Sequence, residues 1–442
     1  MDLSEHDRVW TIEGGRPISG TVRVSGAKNA ATKELVATVL TDEPCELRDV
    51  PVLGDTAVTL DMLSDLGAEF ERDGSTVRIQ TPEITGSVSE RYSGINRIPI
   101  LMLGPLLSRV GEAVVPLVGG CAIGDRPVGY HVDGLTAMGA EISIVGKTMV
   151  ARASQLKGCK HRLPYPSVGA TENLVLAAVR ARGTTVIENA AIEPEIIDLV
   201  LFLQQMGAQI QVDVGRRIIV EGVDRLSGAT HRVIPDRIEA ASYACAAIAT
   251  GGEVDLLGAQ QSEMVTFLNV LRRVGGRFAV HDEGIRFWAD EGKLRPWHLE
   301  TDVHPGFMTD WQQPTVVLLT QAEGVSVIHE TVYENRFGYT ETLVAMGAHI
   351  ELSSQCLGPR ACRFADGDFP HSAVVSGPTT LTGGDLVIPD LRAGFAYVMA
   401  ALCATGESRL HNIWYLERGY EDIPGKLAEL GVAVDTGTTA RA

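Results

Sequence analysis

The chain has 442 residues, 45% hydrophobic and 21% charged, enough for roughly two to four domains and unlike a disordered, collagenous or coiled-coil protein. Its 38 Lys and Arg against 56 Asp and Glu leave a net charge of −18. That excludes nonspecific nucleic-acid binding and docking on anionic lipid as leading readings, while a local basic cluster still suits an anionic small molecule. The longest apolar stretch, near Ile98–Leu107, falls short of the ~20 residues of a membrane span. The polar, acidic start is not a signal peptide. Seven scattered cysteines, at 45, 121, 159, 245, 356, 362 and 403, suit a reduced, cytoplasmic protein.

In chain order, the sequence predicts helices over Ala30–Leu40, Ile98–Val110, Glu172–Arg182, Ile238–Thr250, Gln312–Ala322 and Ala393–Thr405. Each is followed by a second helix closing on Leu-x-x-apolar-Gly, with the stop at Gly67, Gly139, Gly207, Gly275, Gly347 and Gly431. Glycine after the last apolar turn is the expected helix C-terminal signal. Short β-branched strands lie between the helices, as at Thr184–Ile187 and Val325–Ile328, and a hairpin follows the second helix, as at Gln209–Val214 with Arg217–Glu221. The unit therefore reads β-α-β-α-β-β, six times over. A period of about 70 residues is too long for a solenoid, so each unit is a small sub-fold. Motif symmetry divides the six into two groups of three, with chain crossings expected near Ser25 and near Pro235.

Polar residues collect at the helix N-terminal ends. Lys28 and Asn29 precede the first helix, Ser167–Thr171 the third, Asp236-Arg237 the fourth, Asp310 the fifth and Asp390-Leu391-Arg392 the sixth. Cys121–Arg126, Arg336 and Arg418 precede second helices. Free N–H groups and the positive dipole end favour anions there. The bland alternative is capping and surface charge. The loop Gly119-Gly120-Cys121-Ala122-Ile123-Gly124-Asp125-Arg126-Pro127 lets the backbone approach a ligand but lacks the Gly-Lys-Ser/Thr ending of a P-loop. A cysteine beside Arg126 is a candidate acid or nucleophile. The alternative is a small buried apolar cysteine.

Those motifs, with Ser25–Asn29, Pro235–Arg237, His304–Asp310, Glu334–Phe337 and Arg418–Glu421, occur in an order and spacing that resembles the enolpyruvyl transferases over about Thr11 to Leu430. Leu163–Thr171 and His304–Gln313 look most like actinobacterial members. The resemblance implies a two-domain inside-out α/β barrel of six β-α-β-α-β-β repeats, three per domain. One domain would hold 26–235 with a mobile cysteine loop at 117–128, the other 1–25 and 236–442, with the active site in a cleft that closes on ligand. It implies transfer of the enolpyruvyl group of phosphoenolpyruvate to the 3-hydroxyl of UDP-N-acetylglucosamine, with release of phosphate, through a tetrahedral phospho-ketal. Cys121 then resembles a general acid and Asp310 a base at the acceptor hydroxyl. Lys28, Arg97, Arg126, Arg336, Arg392 and Arg418 match the cationic set around phosphoenolpyruvate. Asn29, Pro127, Val128, Ser167, Val168, Gly169, Asp236 and Val332 match acceptor or intermediate contacts, and Asp390 matches a carboxylate beside Arg392. Phosphoenolpyruvate and a uridine nucleotide are the implied partners, with no nucleic acid, membrane, metal or organic cofactor. A homo-oligomer is left open.

The match departs at the acceptor end. Gly129-Tyr130 stand where members usually carry Asp or Asn and then an apolar residue, and Tyr165 and Gly54 replace common lysines. These departures keep open a paralogue acting on another uridine nucleotide such as UMP in nucleoside-antibiotic synthesis. A non-catalytic nucleotide binder is the reading from outside enzymology. An additional segment, 355–371, holds Cys356 and Cys362. Even with His371 it offers three of the four ligands a metal usually takes, so no metal is expected there. If Cys121 is the acid, Cys121→Ser slows product formation sharply and fosfomycin, which alkylates this cysteine in the family, inactivates the wild type. Unchanged turnover after either treatment removes the residue from that role.

Overall fold

A computed structural model describes residues 8–117, 128–290, 294–359, 362–390 and 393–438. Cys121, Arg126, Pro127 and Arg392, and most of the 117–128 loop, lie outside the described residues. The described chain falls into two compact units. One comprises 8–25 and 235–438, the other 26–117 and 128–234. The chain thus passes between units at Ser25–Gly26 and at Ile234–Pro235.

The helices follow the pattern of apolar residues. The first helix of each repeat spans Lys28–Ala37, Leu103–Val110, Val168–Ala178, Arg237–Ala249, Gln312–Thr320 or Gly394–Cys403. The expected helix over Ile98–Val110 divides into a 3-10 turn, Ile98–Met102, and an α-helix, Leu103–Val110, with Pro99 in the turn. A proline near a helix start lacks only an N–H that would be unpaired anyway, so the break costs little. The six predicted stop glycines, from Gly67 to Gly431, all adopt left-handed φ between 80° and 110°. A Cβ is disfavoured in that conformation, which fixes where each second helix ends.

Among the described residues the strands form five four-stranded sheets and one three-stranded sheet. Each unit holds three of them. Two repeats are contiguous. In the repeat from Lys160 to Glu221, strand Lys160–Arg162 runs parallel to Thr184–Glu188, which pairs antiparallel with Arg217–Glu221, itself the hairpin partner of Gln209–Asp213. The repeat from His298 to Gly377 is built the same way.

Other repeats differ from six self-contained copies. Strand Ser19–Arg23 leads in sequence towards helix Lys28–Ala37, yet it pairs parallel with Glu253–Leu257. Strand Thr230–Arg232 leads towards helix Arg237–Ala249, yet it pairs parallel with Cys45–Arg48. The two crossings therefore exchange one edge strand between units. The last repeat is completed by the N-terminal strand Arg8–Glu13, which lies between Glu407–His411 and Val434–Thr438. The sheet Glu112–Pro116, Glu141–Val145 and Thr148–Arg152 has no leading strand among the described residues.

Hydrophobic burial holds each unit around its first helices. Helices Arg237–Ala249, Gln312–Thr320 and Gly394–Cys403 pack on one another and are buried almost throughout. Tyr243 meets Phe395 edge-on at 4.9 Å, and Phe395 stacks on Tyr420 at 4.8 Å. Each such ring contributes roughly 1.5–3 kcal/mol through burial.

The crossings are tied within each unit. The Ala27 N–H donates to the Ile234 carbonyl at 2.7 Å, and the Asp236 N–H donates to the Ser25 carbonyl at 2.8 Å. Glu239 accepts from the Ser25 N–H at 2.7 Å and from Lys426 Nζ at 2.5 Å, and Lys426 also donates to Ser25 Oγ at 2.7 Å. A Cβ on Gly26 would stand 1.8 Å from the Asp49 carbonyl oxygen, so the entering chain has room only for glycine. Gly26→Ala is expected to destabilise its unit by about 1–3 kcal/mol in urea unfolding, whereas Gly384→Ala, where a Cβ meets nothing within 4 Å, is expected to be neutral. Equal effects from the two would contradict the close approach.

Candidate active site

In the unit containing 235–438, the candidate residues Asp310 and Asp390 gather around Arg336. This guanidinium is 1% exposed. Its Nη2 donates to Asp310 Oδ1, and its Cζ lies 5.5 Å from the centre of the Tyr333 ring. In the amide orientation that satisfies its surroundings, Gln313 Oε1 accepts from Arg336 Nε at 2.6 Å and from Nη2 at 3.0 Å, while Nε2 donates to the Thr309 carbonyl. Burial works against the charge, but the carboxylates of Asp310, Asp390 and Glu330 outweigh it and hold the guanidinium above its usual range. Arg336 Nη1 is buried without a hydrogen-bond partner among the described residues.

Glu330 anchors the backbone around this group. It is fully buried. Its Oε1 accepts from the Val332 and Tyr333 N–H groups at 2.8 and 3.1 Å, and its Oε2 from Thr309 Oγ1 and Gln312 Nε2 at 3.0 and 3.3 Å. One carboxylate thus ties the turn carrying Asp310 to the turn leading to Arg336. Burial pushes its carboxyl up from the usual range, against the pull of Arg336 and these donors. Trp311 seats the same turn. Its Nε1 donates to the Arg237 carbonyl at 3.2 Å and its ring packs on Phe267 and Phe307. Asp390 Oδ1 accepts from the Ala393 N–H at 3.0 Å, at the start of helix Gly394–Cys403. Arg418 lies over the Trp414 ring at 5.8 Å.

In the other unit, Lys28 opens its helix and pairs with Asp55 at 3.0 Å, both largely buried, beside half-buried Asn29. A second group forms around His131. The Asn173 amide lies 3.1 Å from His131 Nδ1, donates to the Ile100 carbonyl at 2.9 Å and accepts from the Gly104 N–H at 3.0 Å. Burial first, and then the charge of Arg97, lower the His131 pKa to about 3, so the ring is neutral at ordinary pH. Gly169 closes this group, since a Cβ there would stand 3.3 Å from His131 Cε1. Arg97, Ser167, Val168 and Gly169 are therefore brought to one place.

Some expected ligand contacts also have structural work. Ser167 Oγ caps helix Val168–Ala178 by accepting from the Ala170 N–H at 3.4 Å, and Asp236 Oδ1 caps helix Arg237–Ala249 by accepting from the Ile238 N–H at 2.8 Å. Val332 has its N–H on Glu330 and its carbonyl on Arg363. Val128 precedes helix Gly129–Ala137, where a Cβ on Gly129 would meet nothing within 4 Å among the described residues. The sequence reading missed Glu330, Gln313, His131 and Asn173, which hold the named residues rather than resembling chemistry themselves. It also counted three ligands in segment 355–371. The count is corrected by His329, which comes from strand Gly324–His329 and joins Cys356, Cys362 and His371.

The chain matches the family described as EPSP synthase (3-phosphoshikimate 1-carboxyvinyltransferase) over residues 12–427. It is 53% identical to a UDP-N-acetylglucosamine 1-carboxyvinyltransferase of Protochlamydia amoebophila, over 96% of this chain and 94% of that protein. It is 41% identical to the like-named protein of Zymomonas mobilis, over 97% and 99%. In structure it is similar to the enolpyruvyl transferase NikO from Streptomyces tendae, with a TM-score of 0.87, 24% identity and 98% and 99% of the two chains covered. EPSP synthase from Acinetobacter baumannii gives 0.74 at 17% identity, over 98% and 100%. The last two matches speak to the fold alone.

Glu172 offers a direct test of the His131 side of this unit. It follows Thr171 in the same helix, and burial raises its carboxyl pKa to about 7, against the partial relief of Lys33 at 3.8 Å. A raised carboxyl pKa penalises the folded state because the unfolded chain ionises first, so this cost is absent below about pH 4.5, builds as pH rises towards 7 and is complete above it. Glu172→Gln is expected to be near neutral at pH 4 and stabilising by roughly 3 kcal/mol at pH 8. Equal urea midpoint shifts at the two pH values would contradict the buried acid.

Proposed function

The chain belongs to the EPSP synthase family of enolpyruvyl transferases, and on that premise we propose that it transfers the enolpyruvyl group of phosphoenolpyruvate to the 3-hydroxyl of UDP-N-acetylglucosamine, releasing phosphate. The observation that carries this reading is the buried Arg336–Asp310 pair with its spare guanidinium edge. An anionic substrate needs planar, fixed donors, and an acceptor hydroxyl needs a carboxylate that stays an acceptor.

The chemistry has two halves. In the first, a proton is added to the methylene carbon of phosphoenolpyruvate, and the acceptor oxygen loses its proton as it bonds to the adjacent carbon. The product is a tetrahedral phospho-ketal. In the second, the new methyl group loses a proton and the carbon–oxygen bond to phosphate breaks. Cys121 is assigned the methylene proton and Asp310 the hydroxyl proton. Lys28, Arg97, Arg126, Arg336, Arg392 and Arg418 are assigned to the phosphate and carboxylate charges, which such donors stabilise best when held in place before reaction. Asn29, Ser167, Val168, Gly169, Asp236 and Val332, with Pro127 and Val128, are assigned to the acceptor.

The relatives at 41% and 53% identity carry the name of the sugar-nucleotide enzyme, and this favours UDP-N-acetylglucosamine over UMP as acceptor. Phosphate release from phosphoenolpyruvate is expected with UDP-N-acetylglucosamine and not with UMP. Asp310→Asn is expected to cut kcat by about 10²–10⁴-fold, the range for one acid–base group. Release with UMP alone would overturn the acceptor, and full activity in Asp310→Asn would overturn the base.

A further inference from the structure

We propose that Cys356, Cys362, His371 and His329, none of them assigned a part in the reaction, form a closed, four-ligand structural site for a zinc-type divalent cation. The four ligand atoms all lie within 4.8 Å of one another. Cys356 Sγ is 3.1 Å from Cys362 Sγ and 3.4 Å from His371 Nε2. Tetrahedral zinc with Zn–S near 2.3 Å and Zn–N near 2.0–2.1 Å separates its ligand atoms by roughly 3.3–3.8 Å. The four side chains therefore need only small adjustments to close on an ion. Two thiols and two imidazoles are a donor set that zinc favours over the hard, oxygen-seeking cations.

The outer contacts orient both rings for this role. His371 Nδ1 lies 3.1 Å from the Phe369 carbonyl oxygen, which only accepts, so the ring proton sits on Nδ1 and the Nε2 lone pair faces the sulfurs. His329 Nδ1 lies 3.2 Å from Glu300 Oε2, and its Nε2 is buried with no hydrogen-bond partner among the described residues. A buried imidazole nitrogen without a donor is a deficit that a cation removes. A carboxylate or carbonyl behind each ligating histidine is the usual second layer of such sites.

The framework is rigid where the histidines sit. His329 ends one strand and His371 precedes its antiparallel neighbour, with both side chains fully buried. The Glu330 N–H donates to the His371 carbonyl at 2.8 Å. The cysteines come from the long excursion between strands His349–Ser353 and Ser372–Gly377. That excursion crosses directly over the histidine–carboxylate pair, because a Cβ on Gly358 would stand 2.0 Å from His329 Nδ1 and 2.1 Å from Glu300 Oε2. Phe364 and Phe369 lie 6.1 and 5.8 Å from the His371 ring and wall it with apolar surface.

Four protein ligands leave no open coordination position, so the ion holds the excursion rather than activating a substrate. What it holds bears on the site, since Arg363, next to Cys362, donates to the Val332 carbonyl.

The test uses the full chain, reduced and free of any purification tag, with metal content measured by mass spectrometry and cobalt(II) as a spectroscopic probe. Equimolar zinc is expected. Cobalt is expected to give thiolate charge-transfer absorption and the visible bands of a tetrahedral ion. Both signals should vanish in Cys356→Ser/Cys362→Ser and persist in Cys121→Ser. His329→Cys should keep the ion with stronger charge transfer, a rescue that separates ligation from folding. Absence of zinc and of the cobalt spectrum in the reduced wild type overturns the proposal. So does a spectrum unchanged in the double serine variant. A Cys356–Cys362 disulfide that persists under reductant and excludes cobalt also overturns it. None of these readouts depends on enolpyruvyl transfer.

Discussion

A guanidinium as buried as Arg336 stays in the fold only if its charge is met on several sides, and much of the candidate site in the unit holding 235–438 is arranged to do so. Desolvating an unpaired cation costs several kcal/mol, and removing one partner of a buried pair typically costs about 3–5 kcal/mol. Asp310 and Gln313 bond to Arg336 directly, while Glu330 and Asp390 supply charge from nearby. Glu330 also fixes the Thr309 hydroxyl and the backbone N–H groups of Val332 and Tyr333. The interaction that stabilises the group therefore also sets its position, and a rigid donor is what binding an anion requires.

The double crossing has a comparable economy. By exchanging edge strands Ser19–Arg23 and Thr230–Arg232, each unit completes a sheet with chain that belongs, in sequence, beside a helix of the other. The crossing points are pinned by Ser25, Glu239 and Lys426 on one side and by Gly26, Ala27 and Ile234 on the other. The unit holding 235–438 cannot draw its strands from that stretch alone, because its sheets also need the N-terminal strands Arg8–Glu13 and Ser19–Arg23.

What was legible in the sequence had a local cause. The helix stops were visible because a left-handed C-terminal turn selects glycine, and the buried first helices because apolar residues run around their whole surface. The hairpin Gln209–Asp213 with Arg217–Glu221 was visible from strand chemistry either side of a Gly-containing turn. Strand exchange was not, since partners such as Val22 and Leu256 are far apart in the chain and carry no mark of one another. Among site residues, Lys28, Asp310 and Arg336 stood out through their motifs, and the structure gives each a buried ionic partner. His131, Asn173 and Glu330 did not, because a polar group that positions another resembles any buried, satisfied side chain. His329 escaped for the same reason as the exchanged strands, although a histidine ending a β-branched run was a usable signal once the cysteines nearby were counted as ligands.

The central claim is that a carbon–carbon double bond is protonated and then restored while the oxygen partner on its neighbouring carbon changes from phosphate to acceptor. Running the reaction with phosphoenolpyruvate and UDP-N-acetylglucosamine in D2O and examining the product's vinyl group tests this directly. Addition and elimination pass through a methyl group that has taken a proton from solvent, so deuterium is predicted in the product's methylene. A product formed with its methylene wholly unlabelled would contradict the account.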